Sequence, residues 1–224
     1  METRGAPIDL YFDFISPFAY LAWKRLPVLA EARGREVRPI PVLFAALLNH
    51  YGHLGPAEIA PKRAYIFKQV LRRGHERGLT ITPPPAHPFK PLLGLRIAGD
   101  PSLDAGARAR VIDALFDATW GDGPGITDPD TVAGLLDRAG VDGAALVAAA
   151  GAPAAKDRLR RATEDALAAG VFGVPTMIAD GELFWGDDSL DDLDRFLRGE
   201  DPVDAAALAR WEGLPAAADR RGKR

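Results

Sequence analysis

The residues best placed for chemistry are Ser16 and Pro17, which directly follow an apolar and aromatic run from Ile8 to Ile15. Serine is a favoured N-cap, and proline is well tolerated at the first helical position, so the pair predicts a strand that runs into a helix. Ser16 would then lie where the amide groups of the first helical turn converge. Such a position stabilises an anion, for example a thiolate or a carboxylate. The plainer alternative is that Ser16 only caps the helix.

A second group of polar residues lies near the end of the chain, after two short apolar runs. Residues 176–179 and 182–185 are predicted to be strands, because Asp180-Gly181 between them is a strong signal for a two-residue hairpin turn. Asp187 and Asp188 follow and lead into a predicted helix. The helix dipole favours acids at a helix start, so Asp188 has a purely structural explanation as well as a binding one.

The apolar pattern locates the elements that would position these residues. Ser189 is predicted to cap the last core helix, with Asp192 as its weak capping-box partner. Pro27 predicts a kink near Trp23 in the first helix. Two strands joined by that helix should be parallel neighbours in a βαβ unit. The pattern places this unit at Ile8 to Ile15 (strand), Phe18 to about Ala32 with a stop at Gly34 (helix), and Glu36 to Phe44 (strand).

The middle of the chain is predicted to contain helices and loops. Residues 49–56 are polar and broken by glycine, and they should form a loop at the carboxyl end of the second strand, where α/β sheets bind ligands. Prolines 83–85 and the run from His87 to Pro91 predict a stiff loop. The helices are expected at 62–76, from about 92, at 111–120, 128–140, 142–150 and 153–169, with a further short one at 202–210.

This order of elements predicts that the chain is divided into three parts. Residues 1–44 and 166–200 are predicted to form a discontinuous α/β domain, and residues 45–165 an all-helical insertion domain. Residues 201–224 are expected to form a C-terminal helix and a flexible tail.

The composition excludes several kinds of function. The 224 residues include no cysteine, so disulfides, thiolate metal sites and redox chemistry of a protein thiol are ruled out. The net charge of −3 gives no general basic field that would attract nucleic acid, and the cluster from Arg220 to Arg224 is expected to be a frayed tail. Four histidines lack a metal-ligand spacing, so no metal site is predicted.

Compartment and solubility follow from the same composition. Hydrophobic residues make up 47% and charged residues 26%, as in soluble globular proteins. No apolar run approaches the roughly 20 residues of a membrane span, so no membrane association is expected. The first residues lack the apolar segment of a signal peptide, and a cytoplasmic protein is therefore predicted.

Three motifs together resemble a known family. They are the runs Phe12 to Tyr20 (FDFISPFAY), Gly170 to Thr176 (GVFGVPT) and Phe184 to Ser189 (FWGDDS). With the order of elements, they resemble a thioredoxin fold that carries the helical insertion of the DsbA-like superfamily, in which Ser16 to Ala19 replaces a Cys-Pro-x-Cys turn. The chain is most similar to the kappa-class glutathione transferases and the 2-hydroxychromene-2-carboxylate isomerases, and the resemblance covers about residues 8–197.

The resemblance implies an α/β fold of the thioredoxin type, with Pro175 in the cis form facing the start of the first helix. It also implies glutathione as cofactor and a homodimer. Ser16 would bind the glutathione sulfur and act as the catalytic residue, and Val174 would pair through its backbone with the cysteinyl unit. Asp187 and Asp188 would hold the γ-glutamyl end. The further residues implied at the glutathione and substrate pocket are Pro17, Phe18, Asn49, Tyr51 and His53.

Some positions depart from the family pattern. Asn49 and His53 stand where the isomerases carry Lys and then Asn, and Lys90 stands where they carry Asn. Ser189 replaces an Arg. His53 is either a donor to glutathione or substrate or a bystander in its loop. These changes lie in the half of the pocket that would grip substrate, so they leave the substrate open.

The resemblance predicts a glutathione-dependent isomerase that acts on an aromatic-derived substrate resembling 2-hydroxychromene-2-carboxylate. One alternative is a kappa-like glutathione transferase or peroxidase. The other is a binding protein without enzymatic activity, in which the thioredoxin fold lost its cysteines and kept a groove for a peptide or protein partner.

Overall fold

The computed structural model describes residues 5–215, and these contain a four-stranded mixed sheet. The strands lie in the order β2-β1-β3-β4, with β1 and β2 parallel, β3 antiparallel to β1, and β4 antiparallel to β3. This is the predicted thioredoxin-type arrangement of a βαβ unit and a hairpin around a shared sheet. The strands are β1 (Ile8–Phe12), β2 (Val37–Pro41), β3 (Thr176–Ala179) and β4 (Glu182–Trp185).

The first helix, α1 (Pro17–Ala32), joins β1 to β2 and continues past Pro27 without interruption. Both strands end earlier than the apolar pattern predicts, because Asp13 terminates them. Its buried carboxylate accepts hydrogen bonds from the backbone N–H of Ile15, in the turn after β1, and from that of Phe44, in the next helix; both are 3.0 Å long. Phe14 and Ile15 thus form a turn, Val42 and Leu43 form a short connection, and Phe44 begins the next helix.

The prediction that residues 49–56 form a polar loop after β2 is partly wrong. Helix α2 (Phe44–Tyr51) includes Asn49, and it ends at Gly52, which has a left-handed φ of 65°. Glycine adopts this conformation at no steric cost and often ends a helix in this way. Only residues 52–59 form the loop, with one turn of 3₁₀ helix at Pro56–Glu58.

Between β2 and β3 the described structure contains helices and loops and no strand, as predicted. Aspartates 104, 128 and 142 each cap a helix by accepting a hydrogen bond from a first-turn N–H. The division into a discontinuous domain and an insertion stays a prediction. The remaining helices of this part are α3 (Ala60–Glu76), α4 (Leu92–Ala98), α5 (Ala105–Trp120), α6 (Pro129–Arg138), α7 (Gly143–Ala150) and α8 (Pro153–Ala168).

One hydrophobic cluster joins the helices to the sheet. Phe12 at the end of β1 and Phe14 just beyond it are fully buried against Phe116 of α5, with ring centroids 4.7 Å apart for Phe14 and Phe116. The buried indole of Trp120, also on α5, donates a hydrogen bond to the carbonyl of Phe14 at 2.8 Å. The chain just before Ser16 is therefore held firmly from the helical side.

The hairpin between β3 and β4 has the predicted turn, since Asp180 and Gly181 have φ angles of 51° and 90°. Beyond it lie a 3₁₀ turn (Asp187–Ser189), α9 (Leu190–Leu197) and α10 (Ala205–Glu212). Ser189 occupies the predicted N-cap position of α9, but its side chain makes no capping bond: the hydroxyl donates to the Gly186 carbonyl at 2.8 Å, and Asp192 pairs with Arg195. A local turn competes here for the hydroxyl. The basic cluster at 220–224 lies outside the described residues.

Candidate active site

Ser16 lies at the point where the start of α1 meets the segment before β3. Its hydroxyl oxygen accepts a hydrogen bond from the N–H of Ala19 at 3.2 Å, so it does cap α1. The same hydroxyl donates to the carbonyl of Val174 at 3.4 Å, across 158 residues of sequence. The side chain is therefore both a helix cap and a polar contact between the two motifs identified in the sequence.

The peptide bond between Val174 and Pro175 is cis, as the sequence predicts. Pro175 is buried, and its carbonyl accepts a hydrogen bond from the N–H of Gly186 at 2.9 Å. That bond places the Asp187–Asp188 turn beside the Ser16 contact. Gly186 has a φ of 95°, and a Cβ atom there would lie 2.4 Å from a carboxylate oxygen of Asp188, so only glycine fits this turn comfortably.

The two aspartates of this turn have opposite environments. Asp187 is fully buried, and its carboxylate binds two guanidinium groups of α3, those of Arg73 and Arg77, the latter at 2.7 Å. Burial raises the pKa of Asp187, and the two arginines oppose that rise. The side chain of Asp188 is 67% exposed and touches only the edge of this network, with Arg73 at 3.2 Å.

Arg73 closes a ring of contacts around the start of α1. Its guanidinium carbon lies 5.3 Å from the centre of the Phe18 ring, a cation–π geometry, while it also binds Asp187 and Asp188. Arg77 further donates to the carbonyl of Leu21 at 3.3 Å. The sequence analysis missed both arginines, because their partners at Asp187 lie more than 100 residues away in the sequence.

Asp13, which directly follows the last residue of β1, anchors the segment that carries Ser16. The carboxyl group is 1% exposed, and burial raises its pKa to about 7, although its two hydrogen bonds from backbone N–H groups act in the opposite direction. The Asp13 carbonyl also accepts from the Ser16 N–H at 3.1 Å. Asp13 thus fixes the turn before Ser16 and the start of α2 at once.

His87 is a half-buried titratable group that the sequence analysis did not assign. Its Nε2 lies 3.0 Å from the carbonyl of Ile15, which can only accept, so Nε2 carries a proton. The other ring nitrogen, Nδ1, is buried without a hydrogen-bond partner among residues 5–215. Burial lowers the pKa of His87, which therefore stays neutral and hydrogen-bonds to the residue immediately before Ser16.

Asn49 and His53 are not part of this contact ring. Both side chains are exposed, Asn49 at the end of α2 and His53 in the loop that follows, where its ring lies 6.2 Å from that of Tyr51. Lys90 is exposed as well. The structure thus brings Ser16, Phe18, Val174, Pro175, Asp187 and Asp188 together, and leaves Asn49 and His53 on a neighbouring surface.

Two of the cavities in the described part of the chain lie away from the predicted site residues. One, of about 530 Å³, lies between α5 and α6. The other, of about 330 Å³, lies between α3 and the proline-rich loop that precedes α4. None of the site residues predicted from the sequence lines either cavity. Within residues 5–215 no group of His, Asp and Glu side chains is arranged to hold a metal ion, and no helix is long and apolar enough to cross a membrane.

Comparisons with known proteins agree with this geometry. A family model described as a DSBA-like thioredoxin domain matches residues 7–198. The 2-hydroxychromene-2-carboxylate isomerase of Sphingobium xenophagum is 33% identical over 196 residues, 85% of this chain and 97% of that protein. A solved structure of 2-hydroxychromene-2-carboxylate isomerase superposes with a TM-score of 0.78 at 28% identity, over 92% of this chain and 97% of the other. Glutathione S-transferase kappa 1 of Caenorhabditis elegans is 30% identical over 79 residues, 35% of each chain.

The fold, the cis-proline opposite a helix start and the matched family model define a DsbA-like thioredoxin-domain protein. Within that class the chain belongs to the family of 2-hydroxychromene-2-carboxylate isomerases. The matched range of residues 7–198 includes the site residues, and the relationship supports an enzyme of the isomerase type.

Proposed function

We propose that the protein is a glutathione-dependent isomerase of an aromatic-derived substrate resembling 2-hydroxychromene-2-carboxylate. The observation that carries the proposal is the Ser16 hydroxyl, which sits at the start of α1 and reaches the backbone beside the cis-proline. The membership in the isomerase family supports the reaction class. Since the chain has no cysteine, any thiol chemistry at this site needs a small-molecule thiol.

The residues present fit glutathione. Ser16 would hold its sulfur, the backbone of Val174 its cysteinyl unit, and the exposed carboxylate of Asp188 its γ-glutamyl ammonium group. Asp187 cannot offer a free carboxylate, since Arg73 and Arg77 already bind it, so its role would be to hold the turn in place. Pro17 and Phe18 would form the apolar wall beside the sulfur.

The chain's contribution to the chemistry is to favour a thiolate at one point. The hydrogen bond from the Ser16 hydroxyl to the Val174 carbonyl is long, at 3.4 Å, so turning the hydroxyl toward an incoming sulfur costs little. A hydrogen bond from the Ser16 hydroxyl to the sulfur, together with the amide groups of the first turn of α1, would lower the pKa of a thiol held there. When bound, glutathione supplies the thiol that adds reversibly to the substrate, permits rotation about a bond and then leaves.

The test is the Ser16→Ala variant, measured in parallel by turnover and by the ultraviolet absorbance of bound thiolate. Turnover should fall by roughly 10²–10³-fold, as for loss of one stabilising donor, while substrate affinity changes less. The pKa of bound glutathione should rise in the variant. Ser102→Ala, which removes a hydroxyl that only binds Asp100, is the control and should match the unmodified protein.

Full activity of Ser16→Ala with every accepted substrate would reduce Ser16 to a helix cap. Conjugation or peroxide reduction without isomerisation would favour the kappa-like transferase or peroxidase, the alternative that the partial match to glutathione S-transferase kappa 1 supports. Recovery of a protein partner, with indifference to glutathione, would favour the cysteine-less binding protein.

Two further expectations accompany the proposal, a cytoplasmic location and a homodimer. Light scattering after size-exclusion chromatography tests the second, since a dimer would have twice the chain mass of 24.0 kDa. A single species at the monomer mass would remove the dimer from the proposal and leave the catalytic assignment untouched.

A further inference from the structure

The cavity of about 330 Å³ between α3 and the proline-rich loop is a slot that the site residues do not account for. Its volume lies at the lower end of the range for small-molecule pockets, roughly 300–1,000 Å³. On the α3 side it is lined by one helical face with the spacing i, i+4, i+7 and i+8, formed by Arg63, Phe67, Val70 and Leu71. The opposite wall is the loop from Ile81 to His87.

The slot has the walls of a site for a flat aromatic ring. The His87 ring lies against Phe67 and Trp120, with centroids 5.4 Å away in both cases and interplanar angles of 77° and 61°. Three consecutive prolines, at 83–85, stiffen the facing loop because each fixes its backbone φ. Edge-to-face and stacked contacts with such walls favour an aromatic guest over a flexible aliphatic one.

The slot is linked to the candidate active site through hydrogen bonds of two of its lining residues. His87 donates its Nε2–H to the carbonyl of Ile15, and Ile15 precedes Ser16. Burial and the nearby Arg63 lower the pKa of the imidazole and favour its neutral form, although the hydrogen bond to Ile15 acts in the opposite direction. Trp120 strengthens the connection, since its indole N–H binds the carbonyl of Phe14 at 2.8 Å. A molecule in the slot would therefore lie against two side chains, His87 and Trp120, that hold the segment carrying Ser16.

One cation stands at the exposed part of the slot. The guanidinium of Arg63 donates to the His87 carbonyl at 3.0 Å and lies 5.8 Å from the centre of the Phe67 ring. In the described part of the chain these contacts are with a carbonyl and an aromatic ring and not with a carboxylate, in contrast to Arg73 and Arg77 on the same helix. Its positive charge is therefore available to an anionic group on a ligand.

We infer that this slot binds a planar aromatic carboxylate, with the ring against Phe67, Trp120 and His87 and the carboxylate on Arg63. The inference rests on the proposed function in one respect, the identification of that ligand as the substrate of the Ser16 site. Arg63 and His87 then act as substrate-positioning residues for the isomerase.

The test is calorimetric titration of the full chain, without glutathione, using 1-naphthoate as the probe and 1-naphthalenemethanol as its neutral counterpart. Arg63→Gln should weaken naphthoate binding roughly tenfold, as expected for loss of one charge-assisted pair, and should leave the alcohol unchanged. Leu71→Trp, at a position 55% exposed in the slot, should weaken both probes by filling the space. Lys62→Gln, the adjacent exposed cation that does not line the slot, is the charge control and should change neither.

A readout that needs no variant is the indole N–H resonance of Trp120 in the unmodified protein. Naphthoate should shift it through its ring current, and the resonances of Trp23, Trp185 and Trp211 should move much less. Absence of naphthoate binding, equal effects of Arg63→Gln and Lys62→Gln, or a shift at the other tryptophans without one at Trp120 would each overturn the slot assignment.

The outcomes separate this inference from the proposed function. If naphthoate binds as described but the protein neither binds glutathione nor isomerises, the slot stands and the function fails. If the protein is an active isomerase whose KM is unchanged in Arg63→Gln and Leu71→Trp, the function stands and the substrate binds elsewhere.

Discussion

At the scale of single residues, Asp13 combines complete burial with a titration close to neutral pH. Burial raises its pKa from 3.8 to about 7 in the folded protein. Between these two values the folded state binds one proton more than the unfolded state. Stability therefore rises as the pH falls from about 7 to about 4, and it is lost as the pH rises through this window.

We predict that replacement of Asp13 by Asn removes this pH dependence. One proton corresponds to a change of about 1.4 kcal/mol per pH unit in the free energy of unfolding. As the pH rises from 4 to 7, the free energy of unfolding of the unmodified protein should therefore fall more steeply than that of Asp13→Asn, by about this amount per pH unit. Urea denaturation at a series of pH values between 4 and 7 measures the difference. Asn can accept only one of the two backbone hydrogen bonds, so the variant has a lower overall stability, but parallel pH curves for the two proteins would contradict the prediction.

The residue-level chemistry was predictable where it depends on local sequence. Ser16 as an N-cap and the Asp180-Gly181 turn each follow from a few adjacent residues, and the structure has both. The environment of Asp187 was not predictable, because it is set by two arginines of α3 that are distant in sequence. The same holds for His87, whose hydrogen bond to Ile15 spans 72 residues.

At the scale of elements, α6 and α7 approach each other so closely that a glycine is required. A Cβ atom at Gly143, the first residue of α7, would lie 2.1 Å from the backbone carbonyl oxygen of Ala133 in α6. Because the obstacle is backbone rather than a flexible side chain, the two helices would have to separate.

We predict that Gly143→Ala destabilises the protein by about 2 kcal/mol, within the range for an overpacked contact. Gly134→Ala is the matched control within α6, since a Cβ atom there meets only an Arg138 side-chain nitrogen at 3.6 Å. That change should stabilise the helix by about 0.5–1 kcal/mol. The free energies of unfolding in urea measure both effects. If Gly143→Ala were as stable as Gly134→Ala or more stable, the two helices would be able to separate at little cost and the prediction would be wrong.

The order of elements could be predicted almost completely, and their ends could not. Period and caps located α1 and α6 to α8 within a few residues, whereas α5 begins at Ala105 and not at the predicted residue 111. The errors at the ends of β1 and β2 share one cause: an apolar residue such as Phe14 is buried whether it lies in a strand or in a turn. Only the side chain of Asp13, acting across 31 residues on Phe44, decides where the strands stop.

At the scale of the whole molecule, the site exists only because four distant segments meet. Ser16 contacts Val174, Pro175 binds Gly186, and Arg73 of α3 joins Asp187 to Phe18. The resemblance to the family predicted the first of these contacts, while the arginine contacts lay beyond it. Since both halves of the chain contribute, a ligand that bridges these segments should stabilise the entire fold.

This leads to a prediction about glutathione and Asp188. Glutathione at 100 times its Kd should stabilise the native state by about 2.7 kcal/mol, which raises the Tm of a chain of this size by roughly 5–10 °C. Asp188→Ala should weaken binding about tenfold through loss of the ammonium contact, so at the same concentration the shift should be roughly half as large. Cysteinylglycine, which lacks the γ-glutamyl group, is the control ligand, and its smaller effect should be the same in both proteins. If Asp188→Ala responds to glutathione like the unmodified protein, Asp188 serves only as an acid at a helix start. If the unmodified protein, shown to be folded, gives no shift at any glutathione concentration, the cysteine-less binding protein becomes the better account of this fold.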